Sequence, residues 1–122
     1  MLRDAERPHV LQNLRSGHLV ASRVELAVDS ESRRRGLLGR DTLGEGAALI
    51  IAPSSAIHTF SMRFAIDVVF VARDGRVLKT YAAVGPRRIA FRFGAFAVIE
   101  LPAGAISGSQ VKAGDLVQVV SQ

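Results

Sequence analysis

The sequence predicts an α+β fold: a single β-rich domain, its mixed or antiparallel sheet curled toward a small barrel, with one or two short helices. Two observations lead there. Apolar runs of strand length recur along the chain, each closed by Gly, Pro, Asp or Ser, while only two short stretches carry helix signals. The long helices that alternate with strands in doubly wound nucleotide-binding folds are missing, and so are the glycine-rich phosphate loops of those folds.

Residues 1–18 have weak periodicity and end in Ser16-Gly17-His18, the pattern of an arm, so the globular domain is expected over residues 19–122. Residues 19–28 alternate, with Val20, Ser22, Val24, Leu26 and Val28 on one side and Arg23 and Glu25 on the other, which is the period of one half-buried strand. Asp29 or Ser30 can cap a short helix with Glu31 in its first turn, Leu37 and Leu38 as its apolar face and Gly39 as its stop. Gly36 inside that helix suggests close packing against another backbone. Residues 47–52, 66–72, 77–84 and 96–101 read as further strands, separated by Pro53-Ser54-Ser55, by Arg73-Asp74-Gly75-Arg76 and by Gly85-Pro86. Asp74-Gly75 between apolar runs marks a hairpin. Residues 103–110 suit one helical turn, and Gly114-Asp115 leads into a last strand over residues 116–120.

A chain of 122 residues at 48% hydrophobic can bury about two thirds of its unfolded surface, which suits one domain. With no cysteine, disulfides, thiolate metal sites and cysteine nucleophiles are excluded. The first eight residues carry acids and lack a leader's apolar run, so a cytoplasmic protein with no membrane partner is expected. The net charge of +5 is spread along the chain rather than gathered on one element. The nearest thing to a basic patch interleaved with aromatic residues, Arg87-Arg88-Ile89-Ala90-Phe91-Arg92-Phe93, reads as a solvated edge strand, and no specific nucleic-acid partner is expected.

The segment Ile57-His58-Thr59-Phe60-Ser61-Met62-Arg63-Phe64-Ala65-Ile66-Asp67 embeds three ionisable side chains in a run that otherwise reads as buried strand. Buried charge without a partner is costly, so these groups should meet one another or a ligand. Fully extended, the segment puts Thr59, Ser61, Arg63, Ala65 and Asp67 on one face and His58, Phe60, Met62 and Phe64 on the other. Arg63 and Asp67 would then lie ~13 Å apart, too far to pair directly.

This segment resembles the signature of the domain of unknown function 192 family, in which the pattern I-H-T-x-x-M-R-F-P-I-D-V-V-F is common. Arg35-Gly36-Leu37-Leu38-Gly39-Arg40 resembles the family's R-G-L-M-x-R element, residues 46–51 its following strand, Val98-Ile99-Glu100-Leu101-Pro102-Ala103-Gly104 its V-L-E-L-P-A-G element, and Ala113-Gly114-Asp115-Leu116-Val117 its terminal G-D strand. The likeness spans residues 20–120 in family order. Ala65 stands where the family usually has Pro, and Arg87 where many members have Trp. The resemblance implies a family without implying a reaction.

Three functional readings follow. In the first, a small anionic or polar ligand binds at a site lined by His58, Thr59, Arg63 and Asp67, joined by Arg40 and Glu100, with the Arg63 fork as an anion clamp. Arg63 could instead be a structural partner of Asp67 or Glu100. In the second, a hydrolase or isomerase uses His58 as general base with Asp67 orienting it. In the third, the signature is a nucleus of buried polar pairs with no ligand. Ser54, Ser55, Thr59 and Ser61 flank His58 without a nucleophile-elbow motif. His58, Asp67 and Glu100 could in principle ligate a metal, but their spacing does not support one, so no metal and no cofactor are expected. Arg33-Arg34-Arg35 is expected to face water.

Overall fold

The computed structural model describes residues 9–60 and 62–121. In chain order its elements are β1 (His9–Asn13), β2 (Leu19–Ala21), β3 (Arg23–Ala27), α1 (Ser30–Arg35), β4 (Ala47–Ile51), β5 (Ala56–His58), β6 (Ile66–Val71), β7 (Val77–Val84), β8 (Ile89–Phe91), β9 (Ala97–Pro102), α2 (Ala105–Ser109) and β10 (Val117–Ser121). They form a three-stranded sheet in the order β10-β1-β2, a five-stranded sheet in the order β3-β4-β9-β6-β7, and a β5-β8 ribbon. Only β3 and β4 run parallel, so the large sheet is mixed and the fold is α+β and β-rich. No sheet closes into a barrel. The two larger sheets are joined by the chain passing through Ser22 and by a bridge between Arg76 and Leu116.

Several expectations are corrected. The segment read as an arm supplies β1, the middle strand of its sheet, with Val10, Leu11 and Asn13 buried; residues 1–8, on which the leader reading rests, lie outside the described residues. The strand expected over residues 19–28 is two strands in different sheets, because the backbone of Ser22 turns to donate to Gly46. The helix is shorter than its signals allow: Asp29 caps it by accepting from the Ser32 N–H, but Gly36 already ends it at φ +49°, and Leu37 enters the core beyond its end. A Cβ on Gly36 would meet nothing closer than 4.0 Å, so its role is conformational and not close packing.

The hairpin at Asp74-Gly75 joins β6 to β7 as its turn chemistry predicts. Gly75 is needed twice over, since it has φ +94° and a Cβ there would lie 2.4 Å from the Val117 carbonyl oxygen, where β10 crosses the turn.

Along β4, β6 and β9 successive residues enter opposite cores, because side chains alternate across a strand. Ala48, Ile50, Val69, Val71, Ile99 and Leu101 belong to one core, and Leu49, Ile51, Val68, Phe70 and Val98 to the other. Both faces of the large sheet are therefore dry, which explains why its strands read as near-continuous apolar runs. Asp67 and Glu100 interrupt those runs on opposite faces.

A third buried acid, Asp115, locks β1 to the approach to β10. Asp115 accepts from Arg15 Nε at 2.6 Å, Asn13 Nδ2 at 3.0 Å and the Lys112 N–H at 3.0 Å. The Arg15 hydrogen bond, helped by the Lys112 and Asn13 bonds against the cost of burial, holds the Asp115 carboxyl down at about 2, below its ordinary 3.8. A lowered folded-state value means stability that is present above pH 3.8 and is lost as pH falls through about 2. Asp115→Asn is expected to cost about 1–3 kcal/mol in urea unfolding at pH 7. The gap between the variant and the native chain should narrow as the pH is lowered from 4 to 2.

Candidate functional site

The signature segment is not one strand. Only Ala56–His58 pairs, as β5 against β8, and the chain then breaks away before resuming as β6 at Ile66. Thr59 causes the break. Its N–H donates to the Arg88 carbonyl, its carbonyl accepts from the Arg87 N–H, and its hydroxyl donates to the Gly85 carbonyl at 2.7 Å while accepting from the Arg88 N–H at 2.8 Å. A fully buried Thr59 is thus used up in pinning the loop before β8. Ser61 lies outside the described residues.

The alternation expected for this segment fails with the strand. Arg63 is exposed and its Nη1 pairs with Asp41 at 2.6 Å, away from both Asp67 and Glu100, so neither expected partnership exists. An ion pair this exposed contributes little. Arg40 pairs with Glu25 at 2.7 Å.

Asp67 is a structural acid. Its Oδ1 accepts from the Ala83 N–H at 2.8 Å, and its Oδ2 accepts from the Gly104 and Ile106 N–H groups at 3.1 and 2.9 Å. Ala83 sits at φ +52° in the irregular stretch where Asp67 has no direct partner on β7. Gly104, the residue at the N-terminus of α2, has no side chain with which to cap it. Asp67 serves as that cap from a neighbouring strand. Its oxygens are committed to backbone amides, and no hydrogen bond joins it to His58 among the described residues, so the expected His58–Asp67 base pair is not assembled.

Glu100 is the opposite case. Paired in register with Leu49 on one side and Val68 on the other, it is only 4% exposed. Its Oε1 has no hydrogen-bond partner among the described residues. Burial pushes the carboxyl up to about 7, and the charge of Arg40 pulls the other way without offsetting it.

Glu100 lines an open cleft of about 520 Å³ whose walls come from α1 and its following turn, from the end of β4 and from β5. Leu37, Leu38, Ile51, Pro53, Ile57 and Met62 make its apolar surface, and Arg33, Arg34, Arg35 and His58 add cationic and polar groups. His58 is exposed and stacks on Phe60, with ring centroids 5.4 Å apart. Arg35 is bonded to Glu31 at 2.9 Å and Arg33 to the Ser30 hydroxyl at 3.4 Å, while Arg34 has no salt bridge among the described residues. Beyond His58, the outer face of the β5-β8 ribbon exposes Ile89 and Phe91.

Of the six residues expected at a site, the cleft thus receives His58 and Glu100, with Arg40 reaching it through its field. Thr59, Arg63 and Asp67 are used elsewhere. The α1 arginines face water as expected, Arg34 and Arg35 exposed and Arg33 half-buried, but they also line this cleft, which the sequence reading does not anticipate; the signal for it is their place immediately before the Gly36-Leu37 element that resembles the family pattern. No cluster of three His, Cys, Asp or Glu capable of holding a metal occurs among the described residues, and Asp67 and Glu100 face opposite cores. A second hollow of about 600 Å³ beside α2, lined by Thr42, Glu45, Pro102 and small residues, contains no orphaned buried side chain among the described residues.

The two acids should respond differently to loss of charge. Asp67→Asn turns an amide donor toward backbone N–H groups and is expected to cost about 1–3 kcal/mol in chemical denaturation. Glu100 has a raised folded-state value, so the stability linked to its protonated form is present in full below pH 4.5 and is gone above about 7. Glu100→Gln should therefore gain on the native chain as pH rises from 5 to 8, by up to roughly 3 kcal/mol. An unchanged difference across that range would show that the carboxyl is not desolvated.

The chain was compared with known proteins. No curated protein matches it. Among solved structures it is similar to a protein of unknown function from Novosphingobium aromaticivorans DSM 12444, with a TM-score of 0.77, 28% identity, and coverage of 91% of this chain and 83% of that one. It is also similar to a Sinorhizobium meliloti 1021 protein with a provisional transcription-regulator name, with a TM-score of 0.79, 24% identity, and coverage of 91% of both chains; at that identity the likeness concerns the fold alone. No helix among the described residues is long and apolar enough to cross a membrane. The model of the domain of unknown function 192 family, described as uncharacterized ACR, matches residues 11–119, and the chain belongs to that family.

Proposed function

We propose that this protein binds a small polar organic ligand in the cleft between α1 and β5, with Glu100 as the recognition group. One observation carries the reading: a carboxyl that is almost wholly buried, with an oxygen that nothing in the described protein satisfies, lines an open cleft. A buried polar atom left unpaired costs about 1–3 kcal/mol, and a scaffold that satisfies Asp67 three times over has no evident structural need for that cost. Concave, mostly apolar surface with a few convergent polar groups is the ordinary form of a small-molecule site. The anion-recognising role expected of Arg63 passes in this reading to Arg33, Arg34 and Arg35, which share the cleft with Glu100.

Proton transfer is a second reading of the same site, favoured by a carboxyl held near neutrality, where a general acid or base works best. It replaces His58 with Glu100 as the titrating group and removes Asp67 from the chemistry. Nucleic acid stays outside the proposal, and a cytoplasmic location is retained with it. The arginines flanking β8, Arg87, Arg88 and Arg92, with Phe91 and Phe93, should give only weak binding of DNA or RNA that disappears at physiological salt.

The test is a thermal-shift screen of small polar metabolite-like compounds at pH 7, followed by calorimetry. A ligand present at about 100 times its Kd should stabilise the fold by ~2.7 kcal/mol. Glu100→Ala should lose that shift, while Arg63→Ala, outside the cleft, should keep it. If the Arg63 variant loses binding and the Glu100 variant retains it, the site has been assigned to the wrong surface.

A further inference from the structure

The charges of the cleft are ordered. Among the described residues its one acidic lining residue is Glu100, buried in the large sheet, whereas its arginines, Arg33, Arg34 and Arg35, come from α1. The rest of the lining is mostly apolar, with Leu37, Ile51, Ile57 and Met62 beside the polar Ser54 and His58. Resting on the reading that this cleft holds a small ligand, we infer that the ligand is a short organic anion with a hydrogen-bond donor at its opposite end, the donor held by Glu100 and the anionic group by the α1 arginines.

Each half follows from what the protein leaves unsatisfied. Glu100 Oε1 has no donor among the described residues, and Arg40, the cation whose charge acts on it, is committed to Glu25 at 2.7 Å. An anion placed against that carboxyl would meet like charge in a desolvated site, so the inserted end must donate. At α1 the balance is reversed. Three guanidiniums stand there against two acids, Glu31, which bonds Arg35 at 2.9 Å, and the N-cap Asp29, whose side chain already accepts from the Ser32 N–H, which leaves one cation in excess. Guanidinium groups suit carboxylate or phosphate, and their partly exposed position makes the contribution sensitive to salt. The apolar walls ask for a methylene or ring spacer.

An ammonium and a hydroxyl both satisfy Glu100, and the two differ in proton balance. An ammonium favours the ionised carboxylate, so its binding releases a proton from a carboxyl that is partly protonated near pH 7. A hydroxyl can bind either form and releases little. Calorimetry in two buffers of different ionisation enthalpy separates the two.

The experiment uses the full chain at pH 7 and low salt with four probes of one length: ε-aminocaproate, ω-hydroxycaproate, caproate and hexylamine. At least one of the two bifunctional probes is expected to bind ten times or more tighter than both monofunctional ones, and 0.5 M salt should reduce its advantage over hexylamine. Glu100→Gln should abolish the advantage of the amino acid over caproate, and replacing Arg33, Arg34 and Arg35 together with Gln should abolish its advantage over hexylamine. Because the probe series on the unmodified chain is decisive alone, a variant that fails to fold does not stall the test. Equal binding of caproate and the bifunctional probes removes the donor from the inference, and equal binding of hexylamine removes the anion; either result overturns it while leaving a small-ligand site in place. If no probe binds but a compound of another class shifts the melting temperature through Glu100, this ligand class is wrong and the site stands. If no compound of any class binds, both fall.

Discussion

The rest of the structure depends on the burial of both faces of the five-stranded sheet. With a core on each side, β4, β6 and β9 have no wet surface on which an acid could be tolerated at no cost. Asp67 and Glu100 must each be dealt with locally. On one face the protein does so completely, by drawing the irregular part of β7 and the start of α2 onto a single carboxylate. On the other face the sheet is opened to a cleft and the carboxyl is left without a partner. The same constraint therefore yields a strut on one side and, among the described residues, an unsatisfied carboxyl on the other.

How much of this was legible depends on the range of the interactions involved. β7 was read to the residue, and the hairpin before it was placed correctly, because period-two alternation and Asp-Gly turn chemistry act over a few residues. The break after His58 was not legible, since it is made by Thr59 bonding to Gly85 and Arg88, well down the chain. Nor was β1, whose partner β10 pairs His9 with Ser121. How far the sheets curl toward a barrel was not legible for the same reason: closure is decided where distant edges meet, and here the approach to β10 meets the start of β7 through the Arg76–Leu116 bridge and backbone hydrogen bonds at Gly75 and Val77 without closing a barrel among the described residues.

The candidate site shows a finer limit. Charge within an apolar run singled out Arg63, Asp67 and Glu100 alike, and that signal is sound as far as it goes. It cannot separate a buried acid that distant amides satisfy from one that nothing satisfies, because the amides of Ala83, Gly104 and Ile106 come from elements unrelated to Asp67 in sequence. Arg63 is different again. The segment was taken as extended, and once Thr59 bends it the guanidinium falls outside and reaches Asp41.

The pairing of β1 between β2 and β10 also sets the order of events when the chain is made. Strand β1 finds one partner, β2, close by in the chain, yet its other partner, β10, and the Asp115 carboxylate that receives Asn13 and Arg15 are synthesised about a hundred residues later. Until residues 115–121 are clear of the exit tunnel, Val10 and Leu11 have half a sheet and an incomplete core. Nascent chains must carry one edge of that apolar strand open until β10 arrives, which makes it a segment that a holding chaperone would be selected to cover.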